Sequence, residues 1–441
     1  VKAANNPATS RMMGIKQGKL MRALWWYGGL WFALLLGSAN PVAADSAEQL
    51  FARYEPALLQ VRVLEKASGA KASIGTGFVL EQANLLVTNY HVVSEAVLFP
   101  DKYQLEYLAV GQKKGQLKVV AVDVINDLAL VSTDYQPEQR FSIQPERPVQ
   151  GATIYSLGNP HDLGMILVPG TYNGLQKYSF YPRIHFTGAV NAGMSGGPTV
   201  DAAGKVVGVN VASAGNQLGF LVPADALQAL LQRFLKDGEV ADFKQQIDQQ
   251  LVQSQQKMFE QILSADWQLK DFGPGKVPDE VVPFIRCWGE SNVEKNKDQL
   301  KKVAAFCSQS EEIFLSQQFT TGRIEMQFEW LHAPDLHPLQ FFNRYQQNIS
   351  NANPDNQAGK EDVTAFECQH KVVQQPNGQH AKTIFCVRAY RNFAGLFDAL
   401  YLSASLDHDK QGLISHFTLS GVSQHTAQAF SRKFSEAVLW Q

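Results

Sequence analysis

Three short stretches of the 441-residue chain carry side chains suited to acyl-transfer chemistry. Thr88-Asn89-Tyr90-His91-Val92-Val93 reads as a strand ending in a histidine. Asn126-Asp127-Leu128-Ala129-Leu130-Val131 sets an aspartate ahead of an apolar run, and Gly193-Met194-Ser195-Gly196-Gly197-Pro198 sets a serine in a glycine-rich turn. Each alone is weak, because a strand-end histidine, a capping aspartate and a tight turn are common structural features. Together, in the order His, Asp, Ser within one β-rich half, they are specific. Hydrolysis of an amide needs a nucleophile, a base to take its proton, and a carboxylate that holds the base in one tautomer. The glycines serve a separate end, letting backbone N–H groups face the oxyanion of a tetrahedral intermediate, a contribution of about 3–4 kcal/mol per donor.

The elements around these residues decide between two ways of using such a serine. Gly193-Met194-Ser195-Gly196-Gly197 also fits a G-x-S-x-G elbow, which requires a strand before the serine, a helix after it and the order Ser, acid, His. Here a hairpin-like TVDAAGKVVGVNVA follows, and His91 and Asp127 both precede Ser195. The elbow fails on both counts. From about Ala47 to Val222 the chain is a succession of short β-type runs (LLQVRVLE, ASIGTGFVLE, LLVTNYHVV, LKVVAVDV, LALVST, ATIYSLG, KVVGVNVA) separated by turn residues, the pattern of a barrel or sandwich. After Pro223 the period changes: Leu227, Leu230, Leu231, Phe234 and Leu235 predict a helix ended by Gly238. A Gln-rich helix over about 239–264 follows, with Phe243, Ile247, Leu251, Met258 and Ile262 on one stripe, read as packing. From Trp267 a mixed α and β unit begins. Strands are expected at EIFLSQQF, RIEMQFEWL, ALYLSASLD and LISHFTLSG, and helices near Pro338–Ile349 and Gln424–Val438.

The stretch from about 47 to 235 resembles a trypsin-like serine protease of the HtrA (Deg) type. Gly75-Thr76-Gly77-Phe78-Val79, TNYHVV, NDLALV, Gly158-Asn159-Pro160, GMSGGP, KVVGVNVA and Gly219-Phe220-Leu221-Val222-Pro223 keep that family's order and similar intervals. The resemblance implies a double β-barrel protease domain over 45–236; the helical pattern after it reads as a linker over 237–266 and the mixed pattern beyond as a separate α+β domain over 267–441, a mainly β chain as a whole. The resemblance implies His91 as base and then acid, Asp127 as its orienting partner, Ser195 as nucleophile, and the N–H groups of Gly193 and Ser195 as the oxyanion hole. It places Ala189 at the base of the pocket for the residue before the scissile bond. With no acid there, a small or medium apolar residue is expected rather than Lys or Arg. Protein or peptide substrates are implied, and a homo-oligomer is the family's habit. Met194 stands where the family usually has Asn, and Asn191-Ala192 replaces its usual Asn-Pro. No PDZ-type carboxylate-binding loop is recognisable between 240 and 441. The alternative from another class is a non-catalytic or chaperone-like binding module on a protease fold.

The four cysteines, Cys287, Cys307, Cys368 and Cys386, all fall in the second half. Pro376-Asn377-Gly378 between strand-like HKVV and KTIFCV predicts a three-residue hairpin loop. Counting out from Gln375 and Gln379 puts Cys368 opposite Cys386 at a non-hydrogen-bonded position, where Cα atoms lie about 4.5 Å apart. By elimination Cys287 pairs with Cys307. Metal binding is disfavoured, since there is no C-x-x-C and no histidine cluster, and His161 and His185 read as loop or surface residues. No cofactor motif is present. Trp288, Phe341, Phe342, Tyr345, Phe393, Phe397 and Trp440 read as core.

An even cysteine count suits an oxidising compartment, and the first 44 residues agree. Lys2, Arg11, Lys16, Lys19 and Arg22 precede the apolar run Ala23–Leu36 and the small residues Val42-Ala43-Ala44, the layout of a signal peptide cleaved after Ala44. The run is shorter than the roughly 18–20 residues of a membrane span. A periplasmic protein is expected, with secretion as second choice, and no stable membrane span after cleavage. The whole chain has 39 basic against 41 acidic residues; without the five basic groups of residues 1–44 it has 34 against 41, a net of −7. That balance carries no nucleic-acid footprint.

Overall fold

In the computed structural model, the described residues are 46–440 apart from 83, 214, 216, 294–298, 310, 351–355 and 376–377. The expected signal peptide, and Pro376-Asn377 of the hairpin loop, lie outside them. Period-two alternation in the first half produces two closed six-stranded barrels. The first comprises β1 (Leu58–Glu65), β2 (Lys71–Val79), β3 (Leu85–Thr88), β4 (Tyr103–Leu108), β5 (Lys114–Asp123) and β6 (Leu128–Ser132), in the order β1-β2-β3-β6-β5-β4. The second comprises β7 (Thr153–Gly158), β8 (Ile166–Leu175), β9 (Ile184–Thr187), β10 (Pro198–Val200), β11 (Val206–Ser213) and β12 (Gly219–Pro223), in the order β10-β11-β12-β9-β8-β7. This is the trypsin-like double barrel. Closure leaves neither barrel with a free edge.

Helix α1 (Ala47–Tyr54) starts on a Ser46 capping box, and α3 (Ala224–Asp237) ends at Gly238 with φ +80°. Leu50 and Tyr54 of α1 and Leu227, Leu230 and Leu231 of α3 fill one core with Phe78, Phe141, Leu157 and Val209 from both barrels. The run LLVTNYHVV does not stay extended. β3 stops at Thr88, and helix α2 (Tyr90–Leu98) begins at once, with His91 in its first turn. The β-branched valines look strand-like, but Tyr90, Val92, Val93 and Val97 lie on a helical spacing and are all buried, so tertiary packing outweighs propensity.

Helix α4 (Phe243–Ser264), capped by Asp242, buries Ile247, Leu251, Met258 and Ile262. Its core is shared by the first barrel and the C-terminal region. Gln250 reaches across, donating to the Val122 carbonyl at 2.9 Å and accepting from the Val124 N–H at 2.8 Å. After a small sheet of β13 (Leu269–Phe272) and β14 (Gly275–Pro278) come β15 (Arg286–Ser291), β16 (Lys301–Ser308), β17 (Ile313–Ser316), β18 (Phe319–Thr321) and β19 (Ile324–His332). EIFLSQQF is thus split into the two strands of a hairpin, β17 and β18, rather than one strand. Helix α5 (Pro338–Ser350) precedes β20 (Glu367–Gln374), β21 (His380–Ala389), β22 (Phe397–Ser405) and β23 (Gln411–Val422). Helix α6 (Gln424–Ala437) and β24 (Leu439–Trp440), which joins the small sheet, finish the chain.

Seven of these strands form one sheet in the order β15-β16-β19-β23-β22-β21-β20. Alternation sends Phe328, Tyr401 and Phe417 to the face under α6, where Phe430 and Phe434 cover them, and Leu331, Leu402 and Ile414 to the face under α5. Cys287 bonds Cys307 across β15–β16, and Cys368 bonds Cys386 across β20–β21, each with Cα atoms 4.0 Å apart. Gln375 and Gln379 close the second hairpin, and Gly378 takes φ +87°. Phe341, Tyr345, Phe393 and Trp440 are buried, whereas Trp288 (59% exposed) and Phe342 (36%) stand at the surface, contrary to a core reading. No helix among the described residues is long and apolar enough to cross a membrane.

Candidate active site

His91 comes from the first turn of α2, Asp127 and Ser195 from loops between strands, and a set of buried polar contacts draws the three segments together. Asp127 sits just before β6 with φ +59°, a conformation that an Asp tolerates. The Asn89 side chain donates to its carbonyl at 2.7 Å and so holds that backbone in place. The Asp127 carboxylate then takes two bonds from one residue. The His91 N–H reaches Oδ1 at 2.8 Å, and His91 Nδ1 lies 2.6 Å from Oδ2. This contact leaves Nε2 as the free nitrogen of the ring. Burial opposes a charge on the imidazole, but the carboxylate outweighs it, and the His91 pKa stands above its ordinary 6.5. The side chain keeps 27% of its surface exposed, so it is reachable from solvent.

Ser195 lies across Gly75 from α2. A Cβ built on Gly75 would come within 2.5 Å of Val92 Cγ2 and 3.1 Å of the Ser195 carbonyl oxygen, so only glycine allows this approach. Thr76 ties the same strand to the serine loop: its N–H donates to the Ser195 carbonyl at 2.8 Å, and its hydroxyl to the Gly193 carbonyl at 2.7 Å. That hydroxyl also accepts from the Asn159 N–H, and Thr88 donates to the Thr76 carbonyl. Among the described residues no hydrogen bond joins the Ser195 hydroxyl to His91, a gap that is common where no substrate has tightened the site.

The turn before the serine has a definite hand. Met194 N–H donates to the Asn191 carbonyl at 3.0 Å, and Gly193, third in the turn, has φ +93°, as a type II turn requires. The Ala192 carbonyl accepts from the His161 N–H at 2.9 Å. Because the peptide is planar and trans, the Gly193 N–H points the opposite way. Neither it nor the Ser195 N–H donates to another group among the described residues, so both are free for an oxyanion. Asp162 steadies the loop that carries His161: Lys71, first, and Gln60 hydrogen-bond its carboxylate and hold its pKa below the usual range.

Asn210, fully buried, staples the serine loop to the second barrel. Its amide donates to the Leu157 and Met194 carbonyls, and its oxygen accepts from Ser156 and Thr199. Met194 is itself fully buried among Ile154, Phe186, Val190 and Leu221. Its side chain thus adds to the apolar core of the second barrel. Ala189 is half-buried, next to Gly188 and buried Val190. Among the described residues no group of three or more His, Cys, Asp or Glu side chains is placed to hold a metal ion. Thr76 and Asn210 stand in the sequence only inside the GTGFV and KVVGVNVA motifs, with no role attached to either, and the His161 backbone carries no signal, its side chain reading as a loop or surface residue. The glycine signal of GTGF did point to the first. Nothing local points to the others.

Residues 75–209 match the family model described as a trypsin-like peptidase domain. The chain is 28% identical over 200 residues to "Protease Do-like 1, chloroplastic" of Arabidopsis thaliana, covering 40% of this chain and 42% of that protein. It is 32% identical over 184 residues to the "Probable periplasmic serine endoprotease DegP-like" of Rhizobium meliloti, covering 38% and 34%. Among solved structures it is similar to a serine endoprotease from Yersinia pestis, at 24% identity and a TM-score of 0.39, covering 44% of this chain and 69% of that one. The chain thus spans well under half the length of the first two relatives, and the residues matched by the family model lie within the double-barrel half.

Proposed function

We propose that this chain is an exported serine endopeptidase that cuts accessible segments of proteins through an acyl-enzyme on Ser195. The observation that carries the reading is the His91–Asp127 pair, held at two points, beside a turn that frees the Gly193 and Ser195 N–H groups. His91 Nε2 takes the Ser195 proton as the oxygen attacks the scissile carbonyl. The imidazolium that forms is stabilised by the Asp127 carboxylate, and the developing oxyanion turns to the two N–H groups. His91 then returns the proton to the leaving amine, and water repeats the sequence on the ester. A pocket based on Ala189 favours a small or medium apolar residue before the scissile bond. The periplasm is the proposed compartment, in keeping with the name of the Rhizobium relative. The proposed arrangement keeps the segmentation of a protease domain to 236, a helical connection to 266 and a C-terminal domain that recruits substrate or regulates access.

A sulfonyl fluoride should label the wild-type protein on Ser195 and abolish cleavage of casein, and Ser195→Ala should lose both. Equal cleavage of a peptide library by wild type and Ser195→Ala would show the mechanism to be wrong.

A further inference from the structure

Among the described residues, the segment 311–317 of the C-terminal region passes beside the candidate site. Alternation along β17 sinks Ile313 and Leu315 into the core and turns Phe314 to the other side, where its ring meets the His91 imidazole edge-on. The ring centroids are 5.8 Å apart and the planes 69° to each other. Three ties hold the segment. The buried Tyr90 hydroxyl, next to His91 on α2, donates to the Leu315 carbonyl at 3.1 Å. At one end the Glu311 carboxylate accepts from the Ser179 hydroxyl at 2.6 Å, on the β8–β9 loop of the second barrel. At the other, the Gln317 amide donates to the Ala72 carbonyl at 3.2 Å, on β2 of the first barrel. The segment is therefore anchored on both barrels and passes the proposed base on the way.

We infer that Phe314 walls a substrate subsite beside His91, one that takes an apolar side chain flanking the scissile bond. This rests on the protease reading above and adds that substrate choice is set partly by the C-terminal region. A wall fits better than a plug, because His91 keeps 27% of its side chain exposed and Ser195 is only half-buried. A phenyl ring beside the imidazole makes that side of the site apolar, so an unpaired charge there is costly and a large aliphatic or aromatic group is favoured.

The test profiles wild type, Phe314→Ala and Phe314→Leu, all as full chains, on a peptide library varied at each position around the scissile bond, with sulfonyl fluoride labelling in parallel. Phe314→Ala should lose about tenfold in kcat/KM for peptides with a large apolar residue at one position adjoining the cleaved residue. Peptides with a small residue there should change less than about twofold, and Phe314→Leu should recover most of the loss. If the alanine variant does not fold, Phe314→Val, whose shorter β-branched side chain suits a strand, carries the same comparison with the same direction of loss. An unchanged profile with normal labelling overturns the wall alone. A uniform loss at every position also overturns it, and makes Phe314 a support for His91. A wild type that neither cleaves nor is labelled overturns the protease reading, and the wall with it.

Discussion

The two barrels and the C-terminal sheet solve the problem of stability in opposite ways. The barrels contain no cysteine and hold their loops with buried polar side chains: Thr76, Thr88, Asn89, Ser156, Thr199 and Asn210 are all at most 1% exposed, and each makes a hydrogen bond to another loop or strand. The C-terminal sheet uses covalent bonds between neighbouring strands and a stack of aromatic rings, with Phe328, Tyr401, Phe417, Phe430 and Phe434 in mutual contact. Polar staples are directional, and one misplaced partner leaves a buried group unsatisfied at a cost of about 1–3 kcal/mol. They therefore suit loops that must sit at one geometry. Ring packing tolerates small adjustments and suits a scaffold.

The comparison is sharpest at Asp127. Asp127→Asn should cut kcat/KM about 10⁴-fold, with little change in melting temperature. It should also move the acid limb of the pH–rate profile. In the proposed mechanism His91 must be neutral, and the carboxylate raises the His91 pKa, so wild-type activity should rise with pH around a midpoint above 6.5. Removing the carboxylate leaves burial, which lowers the pKa, and the midpoint should fall. A midpoint that does not move would mean that another group controls the profile.

Gly193→Ala comes next. An added Cβ would lie 2.4 Å from the Asn159 carbonyl oxygen, at a φ of +93° that alanine rarely adopts. Steady-state kinetics should show kcat lower by about 10²–10³, the value of a lost oxyanion donor. Asn210→Ala should act on both sides of the comparison, costing about 3 kcal/mol in chemical unfolding together with slower labelling of Ser195. Loss of stability without any change in labelling would remove Asn210 from the account of the site. Smallest for catalysis should be Cys368→Ser with Cys386→Ser, which opens a loop of 18 positions on an edge hairpin. Up to about 3 kcal/mol of stability is at stake in the chain-entropy view, while cleavage of short peptides should stay within about twofold of wild type.

Much of the site was legible because its signals are local. A glycine-rich turn, an aspartate before an apolar strand and the arithmetic of a hairpin each need fewer than twenty residues to be read. Cys368 opposite Cys386 follows from strand pairing alone, and the register carries it. The element that carries His91 is not legible in the same way: Val92 and Val93 have the composition of a strand, and only burial on the helical face of α2 makes them otherwise. EIFLSQQF had too few turn residues to signal the break between β17 and β18, which the Ser316–Phe319 register imposes.

Residue types and their order determined the chemistry this chain is equipped for, its two-barrel half and its disulfide pairs, since turn chemistry, alternation and strand register act between near neighbours. Tertiary structure decided the rest: the hand of the Asn191–Met194 turn through the His161 N–H, the staple at Asn210, and the ring of Phe314 on His91. Tyr90 and Leu315, the bonded neighbours of that last pair, stand 225 positions apart. Contacts at such separation depend on how whole cores close on one another, and no period or motif in the chain encodes them.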